Sequence, residues 1–237
     1  MQRYFAKDKI GDNIILTDDD IHHIKRVMRM KNNDIIEVVF DNVLYKVEIT
    51  NIDNLELKIL DSINQKDDKY PEITLIIPAL KEQKMDLILQ KCTEIGVSRI
   101  IIAPFNRSII KLDERKEKVK LDRWKKICKE ASEQSHRVNI PLIILENNLN
   151  FVDEIDGLKL ICSTNEKDNY IKSILKKNRE YDKITLVIGP EGGISPSEET
   201  YYESKGFKKI TLGSQIMRVE TVPIFLASII RYEYTEW

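Results

Sequence analysis

Glycine and proline are scarce in this chain, at 8 and 7 of 237 residues, which excludes a collagen-like or linker-rich design. Cysteine is scarcer still: Cys92, Cys128 and Cys162 are an odd number, widely spaced, with no CxxC pair. That argues against a disulfide framework and against a zinc site, and fits reduced, mostly buried thiols in a cytosolic protein. Neither sign of charge dominates. Lys and Arg number 38 against 39 Asp and Glu, a formal net charge of -1, so a globally basic nucleic-acid binder is not supported. Long apolar runs are missing too. The longest, Leu75–Leu80 and Val222–Ile230, fall far short of the ~20 residues of a membrane span. The opening MQRYFAKDK lacks the apolar stretch of a signal peptide. The chain reads as soluble and cytoplasmic.

Several familiar motifs are also absent. There is no GxGxxG and no GxxxxGK followed by Ser or Thr, which disfavours a dinucleotide-type Rossmann site and a P-loop. HExxH and GxSxG are missing as well, and His22 and His23 have no metal-ligand company, so no metal site is expected.

What is present is an ordinary globular composition, 42% hydrophobic and 32% charged, which excludes disorder of the whole chain. Residues 1–70 and 71–237 differ in texture. In the first segment, Thr17-Asp18-Asp19-Asp20 offers capping oxygens ahead of Ile21, Ile24 and Met28 at helical spacing, closed by Asn32-Asn33-Asp34. Short β-branched runs follow at 35–40, 43–50 and 55–60, with an Asp41-Asn42 turn, and predict a small strand-rich domain. Residues 61–71 are polar, end in Pro71 and read as a linker.

From Ile73 the rhythm changes. Apolar runs at 73–77, 99–104, 141–145, 158–163, 185–188 and 209–212 alternate with helical patterns. Those helices include Met85–Ile95 stopped by Gly96, a long charged one over about 113–135, and a last one over 221–234. Continuous apolar strands alternating with helices predict an α/β domain with a parallel sheet covered on both faces.

Two loops stand out. Leu186–Ser195 runs an apolar strand straight into Gly189, Gly192 and Gly193, and Ser195-Pro196-Ser197-Glu198 then opens a helix. Glycines at the carboxyl end of a parallel strand let the backbone approach a ligand closely, although a tight strand-to-helix turn would look the same. The second loop runs from Leu212-Gly213 to Glu220-Thr221, where Thr221 is placed to cap a helix with Pro223 in its first turn. A capped helix leaves one thing unexplained: a lone Arg218 among the otherwise uncharged residues 214–219 that lead to Glu220. Two basic clusters complete the inventory. Residues 21–31 hold four cations, two histidines and no acid, and 99–137 hold 12 cations against 6 acids. Either is a solvated helix face or a set of phosphate contacts. Trp124 and the Tyr201-Tyr202 pair read as packing residues.

Taken in order, these blocks resemble the bacterial 16S rRNA uridine-N3 methyltransferases of the SPOUT superfamily. The resemblance runs nearly end to end. It is carried by His22–Arg29, Asp34–Val38, Asp86–Gly96, Asn106-Arg107-Ser108, Arg123-Trp124, Glu130–Arg137, Ile140-Pro141, Ile188–Gly193 and Leu212–Thr221. It implies a PUA-like RNA-binding domain over 1–70 and a SPOUT methyltransferase domain over 71–237. The latter would carry a trefoil knot that binds S-adenosylmethionine, with homodimer formation and 16S rRNA or the small ribosomal subunit as partner. Several positions depart from the family pattern. Gln215 and Met217 stand for Arg and Leu, Val222-Pro223 for Ala, and His136 occupies a position where Gly is common.

The resemblance also implies residue roles. Thr164, Ile188, Gly189, Glu191, Gly192, Gly193, Leu212, Gly213, Ile216, Met217 and Thr221 would hold the cofactor. Arg26, Arg29, Arg107, Gln134 and Arg137 would contact RNA, and Arg218 and Glu220 would be catalytic. Uridine N3 must lose a weakly acidic proton, which places negative charge on O2 and O4. A guanidinium stays protonated and offers a planar donor fork for that charge, so Arg218 is expected there. Two other readings stay open: a non-catalytic RNA binder on a degenerate SPOUT fold, and a SPOUT enzyme that methylates another RNA atom.

Overall fold

The computed structural model describes residues 1–64, 70–110 and 114–235, with backbone only for 114–116. Part of the expected linker (65–69) and Asp113, at the expected start of the long helix, lie outside the described residues. The contacts form two compact units, Met1–Asp67 with Lys129–Ile140, and Asp68–Cys128 with Pro141–Trp237. Residues 129–140 thus fold with the N-terminal segment, which a single division near residue 70 does not provide for.

The first unit is built on a four-stranded sheet in the order β1 (Arg3–Phe5), β4 (Ile35–Phe40), β5 (Val43–Asn51), β6 (Glu56–Ile63), with a separate hairpin of β2 (Asp8–Ile10) and β3 (Asn13–Ile15). β4 and β5 turn at Asp41 and Asn42, whose φ of 49° and 60° gives the left-handed pair that matches strand twist. Alternation along β4 and β5 sends Ile36, Val38, Val47 and Ile49 inward against Tyr4, Ile14, Leu16 and Ile24.

The helix expected behind the Thr17–Asp20 cap starts there but ends before Asn32. It comprises α1 (Asp18–His22) and a π-helical turn (His23–Val27), and Arg29 already has φ 53°. Its start is fixed by a capping box: Thr17 Oγ1 accepts from the Asp20 N–H at 3.3 Å, and the Asp20 carboxylate accepts from the Thr17 N–H at 3.2 Å.

Arg3 closes this unit. It is 4% exposed, donates to Glu37 from Nε at 2.9 Å, and donates to the carbonyls of His136 and Arg137. It therefore ties β1 to β4 and to the turn after α3 (Glu114–Gln134), where His136 has φ 56°. Glycine enters that left-handed region without strain, in keeping with the glycine that the resemblance implies at this position. Removing one partner of a buried charge network strands the rest. Arg3→Ala is expected to lower stability by about 3 kcal/mol, read as a fall in urea midpoint. A change under about 0.5 kcal/mol would show the network to be dispensable.

The second unit is a six-stranded, all-parallel sheet in the order β12 (Lys208–Ile210), β10 (Leu158–Cys162), β11 (Lys183–Val187), β7 (Glu72–Ile77), β8 (Arg99–Ile102), β9 (Leu142–Leu145). Both faces are covered. Ile73, Leu75 and Ile77 of β7 and Ile184 and Leu186 of β11 enter the larger core, against α2 (Glu82–Ile95), α3, α4 (Ile171–Lys177) and α6 (Thr221–Tyr234). Ile76 and Val187 point the other way, against Val152, Phe207 and Tyr202 of α5 (Pro196–Ser204). Trp124 and Tyr202 are buried and pack, as expected.

One cap differs from expectation. Thr221 is already the first residue of α6, its N–H taken by the Arg218 carbonyl at 2.9 Å, and Glu220 holds the N-cap position without a side-chain bond. No helix among the described residues is long and apolar enough to cross a membrane.

Candidate active site

Three neighbouring strands, β12, β10 and β11, send their carboxyl ends to one cleft of about 450 Å³. In parallel α/β sheets this edge is where ligands settle. The loop after β10 contributes Ser163 and Thr164, the loop after β11 contributes Ile188 to Glu191, Gly193 and Ile194, and the loop after β12 contributes Ile216 to Val219. Lys84 arrives from α2, Glu199 from α5 and Val222 from α6.

Glycines shape the β11 loop. A Cβ on Gly189 would sit 2.5 Å from Cγ1 of Ile194, so the chain can fold back on itself only without one. Gly193 has φ 72° and closes a turn by donating its N–H to the Pro190 carbonyl at 2.8 Å. The helix that follows is locked by a second capping box, Ser195 with Glu198. The Glu198 carboxylate also accepts the Asn106 N–H at 2.7 Å, and the Asn106 side-chain amide donates to Ser195 Oγ at 3.0 Å. The conspicuous serine-proline-serine-glutamate run thus anchors both the loop and the segment after β8.

Of the residues expected to hold a cofactor, Thr164, Ile188, Gly189, Glu191, Gly193, Ile216 and Met217 line the cleft, as does Arg218. Gly192, Leu212, Gly213, Thr221 and Glu220 are not in its lining. Leu212 packs instead against the larger core, and Gly213 and Thr221 face outward. The departures from the family pattern change little here: Gln215 is exposed, while Met217 and Val222 keep the lining apolar.

Sequence reasoning missed Lys84, Cys162, Ser163, Pro190, Ile194, Glu199, Val219 and Val222. Lys84 is the informative one. Its Nζ lies 3.0 Å from Glu191 in the glycine loop and 3.2 Å from Glu220 at the end of the final loop, so one ammonium bridges two loops. The two carboxylates hold its pKa above the ordinary lysine value. Burial pushes Glu191 and Glu220 upward, but their own backbone amides and Lys84 outweigh it and leave both below the usual carboxylate range. All three groups therefore stay charged through neutral pH. The bridge weakens only as acid protonates the carboxylates at those depressed values. An i,i+4 glance at α2 marks Lys84 as an ordinary surface cation; only the folded loops reveal its partners.

Arg218 contrasts with Lys84. It is exposed at the cleft, and among the described residues its guanidinium makes no hydrogen bond or ion pair. Glu220, the partner a purely structural role would give it, is engaged by Lys84.

The expected RNA contacts divide between the units. Arg26, Arg29 and Gln134 are exposed in the first unit, and Arg137 there is half-buried with its guanidinium on Asn139. Arg107 belongs to the second, where it donates to the carbonyls of Gly192 at 3.1 Å and Ile194 at 3.4 Å. It braces the glycine loop. Arg107→Ala is therefore expected to weaken binding of a small molecule in the cleft about five- to tenfold. Unchanged small-molecule affinity in a direct titration would leave Arg107 with no role at the loop.

The lining suits a ligand that is part apolar ring and part polar. Ile188, Ile194, Ile216, Met217 and Val222 offer apolar surface, the glycine loop offers close backbone approach, and Lys84, Glu191 and Glu199 offer charge. S-adenosylmethionine, with its flat adenine, hydroxylated ribose and zwitterionic tail, fits that donor set. Among the described residues there is no cluster of side chains able to hold a metal ion.

Comparison with known proteins bears on both units. A family described as "RNA methyltransferase domain" matches residues 67–231, and one described as "RNA methyltransferase PUA domain" matches 16–60. The chain is similar to the ribosomal RNA small subunit methyltransferase E of Bacillus subtilis, with 30% identity covering 98% of this chain and 97% of the relative. It is similar also to a ribosomal RNA small subunit methyltransferase E of Borreliella burgdorferi, with 34% identity covering 91% and 89%. Among solved structures, a ribosomal RNA small subunit methyltransferase E from Neisseria gonorrhoeae, bound to S-adenosylmethionine, aligns with a TM-score of 0.87 and 26% identity over 98% of this chain and 97% of that one.

Proposed function

The chain belongs to the RNA methyltransferase family, and on that premise we propose that it transfers a methyl group from S-adenosylmethionine to N3 of a uridine in small-subunit ribosomal RNA. The observation that carries this reading is the cleft itself: a glycine loop and an apolar wall beside an unengaged Arg218.

When bound, the cofactor supplies an electrophilic methyl group on a sulfonium, whose departing thioether is neutral. The chain's own contribution is to hold the acceptor in line and to stabilise its charge. The backbone of the β10, β11 and β12 loops, with Ile188, Ile216 and Met217, holds the nucleoside part. Lys84 pins the glycine loop to the final loop through Glu191 and Glu220. Arg218 is the catalytic residue in this reading, a cation at the cleft that meets the uracil carbonyl oxygens as N3 releases its proton to water. Glu220, expected as a second catalytic group, is better placed as a positioning residue: it lies outside the cleft lining, with its carboxylate 3.2 Å from the Lys84 ammonium.

Arg26, Arg29, Gln134 and Arg137 serve the RNA strand, and phosphate contacts of this kind make binding salt-dependent. The base must be splayed from its stack for N3 to be reached. A trefoil knot in the C-terminal domain, pairing as a homodimer and a cytoplasmic location belong to the same proposal.

The test is label transfer. Purified protein is incubated with methyl-labelled S-adenosylmethionine and small ribosomal subunits that lack the modification. Label in the ribosomal RNA supports the reading. No label with either assembled subunits or free RNA would return the chain to the class of non-catalytic RNA binders.

A further inference from the structure

The cleft contains one acidic side chain that the mechanism above does not use. Glu199, on the fourth residue of α5, is 8% exposed and lines the cleft. Its Oε1 accepts a hydrogen bond from Ser163 Oγ at 2.6 Å, and the Ser163 oxygen in turn accepts from the Asn165 N–H at 3.1 Å. Serine and glutamate are thereby fixed in one arrangement, with the hydroxyl proton committed to the carboxyl group.

The second oxygen of Glu199, Oε2, has no hydrogen-bond or ion-pair partner among the described residues. Lys209, the cation that feels its charge, has its ammonium on Glu203 at 3.1 Å. This oxygen is not sealed in the core: it keeps solvent contact while the rest of the residue is buried. Here the unfilled site belongs to a group that lines a ligand cleft.

The neighbours of Glu199 in the lining decide what kind of donor it awaits. Cys162, Ser163 and Thr164 are uncharged. The other charged lining groups, Lys84, Glu191 and Arg218, come from different segments, and Lys84 is matched to Glu191. Glu199 thus stands among uncharged groups, a setting that suits a neutral hydroxyl donor.

We propose that Glu199 is a specificity-determining residue of the cofactor cleft, held by Ser163 so that its free oxygen accepts a hydrogen bond from a ribose hydroxyl of the bound nucleoside. This rests on the reading that the cleft takes S-adenosylmethionine. It gives the chain a polar side-chain contact to the nucleoside beside the backbone and apolar contacts of the loops.

The experiment is a calorimetric titration of S-adenosylmethionine and, separately, S-adenosylhomocysteine into the wild-type chain and Glu199→Gln. The two ligands share the nucleoside and differ at sulfur, cationic in one and neutral in the other. Glutamine keeps the size and can still accept from Ser163, but it turns an amide N–H₂ toward the hydroxyl. Both affinities are expected to fall together, by about ten- to a hundredfold, the range for a hydrogen bond to a charged group. Unchanged affinity for both would overturn the assignment. So would a loss confined to S-adenosylmethionine, which would mean that Glu199 reads the sulfonium. Glu199→Asp, which withdraws the carboxyl group, must weaken both ligands too and serves if the glutamine variant folds poorly. A wild-type chain that binds neither ligand would sink the cofactor reading itself; wild-type binding with an indifferent variant would sink only the role of Glu199.

Discussion

Arg218→Ala is expected to lower turnover by about a hundred- to a thousandfold while leaving S-adenosylmethionine affinity within about threefold of wild type. The magnitude is that of removing one preorganised donor from a developing oxyanion. The separation of the two readouts follows from the geometry. Arg218 is exposed at the cleft and carries no structural bond of its side chain among the described residues, so its removal disturbs neither the Lys84 bridge nor the glycine loop. Arg218→Lys should recover only part of the loss, since an ammonium cannot present a planar fork to two oxygens. Single-turnover kinetics at saturating cofactor and RNA read the chemical step directly. Full turnover in the alanine variant, with unchanged RNA affinity, would remove Arg218 from catalysis.

The second large effect concerns the glycine loop. Gly193→Val is expected to weaken S-adenosylmethionine binding by more than about tenfold while lowering the melting temperature by only a few degrees. Gly193 sits at φ 72°, a region that a β-branched residue enters at a cost of roughly 1–2 kcal/mol. The turn closed by its N–H on the Pro190 carbonyl would open, carrying away the two carbonyls that Arg107 grips. Gly206→Val is the control. Gly206 has φ 85° and open space around it, and it is not in the cleft lining. It should cost stability similarly and leave cofactor affinity alone. Equal affinity losses in both variants would trace the effect to general strain and not to the loop.

How much of this was legible in the sequence depends on how many residues each feature offers. The last helix was readable to its ends, Thr221–Tyr234, because fourteen residues repeat one pattern. The parallel strands were readable because strands buried on both faces carry continuous apolar runs, as at Leu75–Ile77 and Ile100–Ile102. Strands β1, β2 and β3 were not, since three residues each are too few to establish a period. The switch to π-helical geometry at His23–Val27 leaves no mark in apolar spacing either.

In the site, the glycine loop and the final loop announced themselves by composition. Lys84 and Glu199 did not, because each looks like one more solvated charge on a helix. The one available clue was the Ser195–Glu198 capping box, which fixes the start of α5 and thereby the helical position of Glu199, one turn before the buried Tyr202. The exchange of Glu220 for Thr221 at the cap has the same origin. Residue types favour threonine, but the turn closed by the Arg218 carbonyl already places Thr221 inside the helix.

The most direct test of the central claim is the identity of the modified nucleoside. Ribosomal RNA labelled by the purified protein is digested completely, and the labelled nucleoside is matched by chromatography and mass spectrometry against authentic standards. The account predicts N3-methyluridine. A uridine methylated on its ribose or at another ring atom would keep the cofactor cleft and overturn both the target atom and the role given to Arg218.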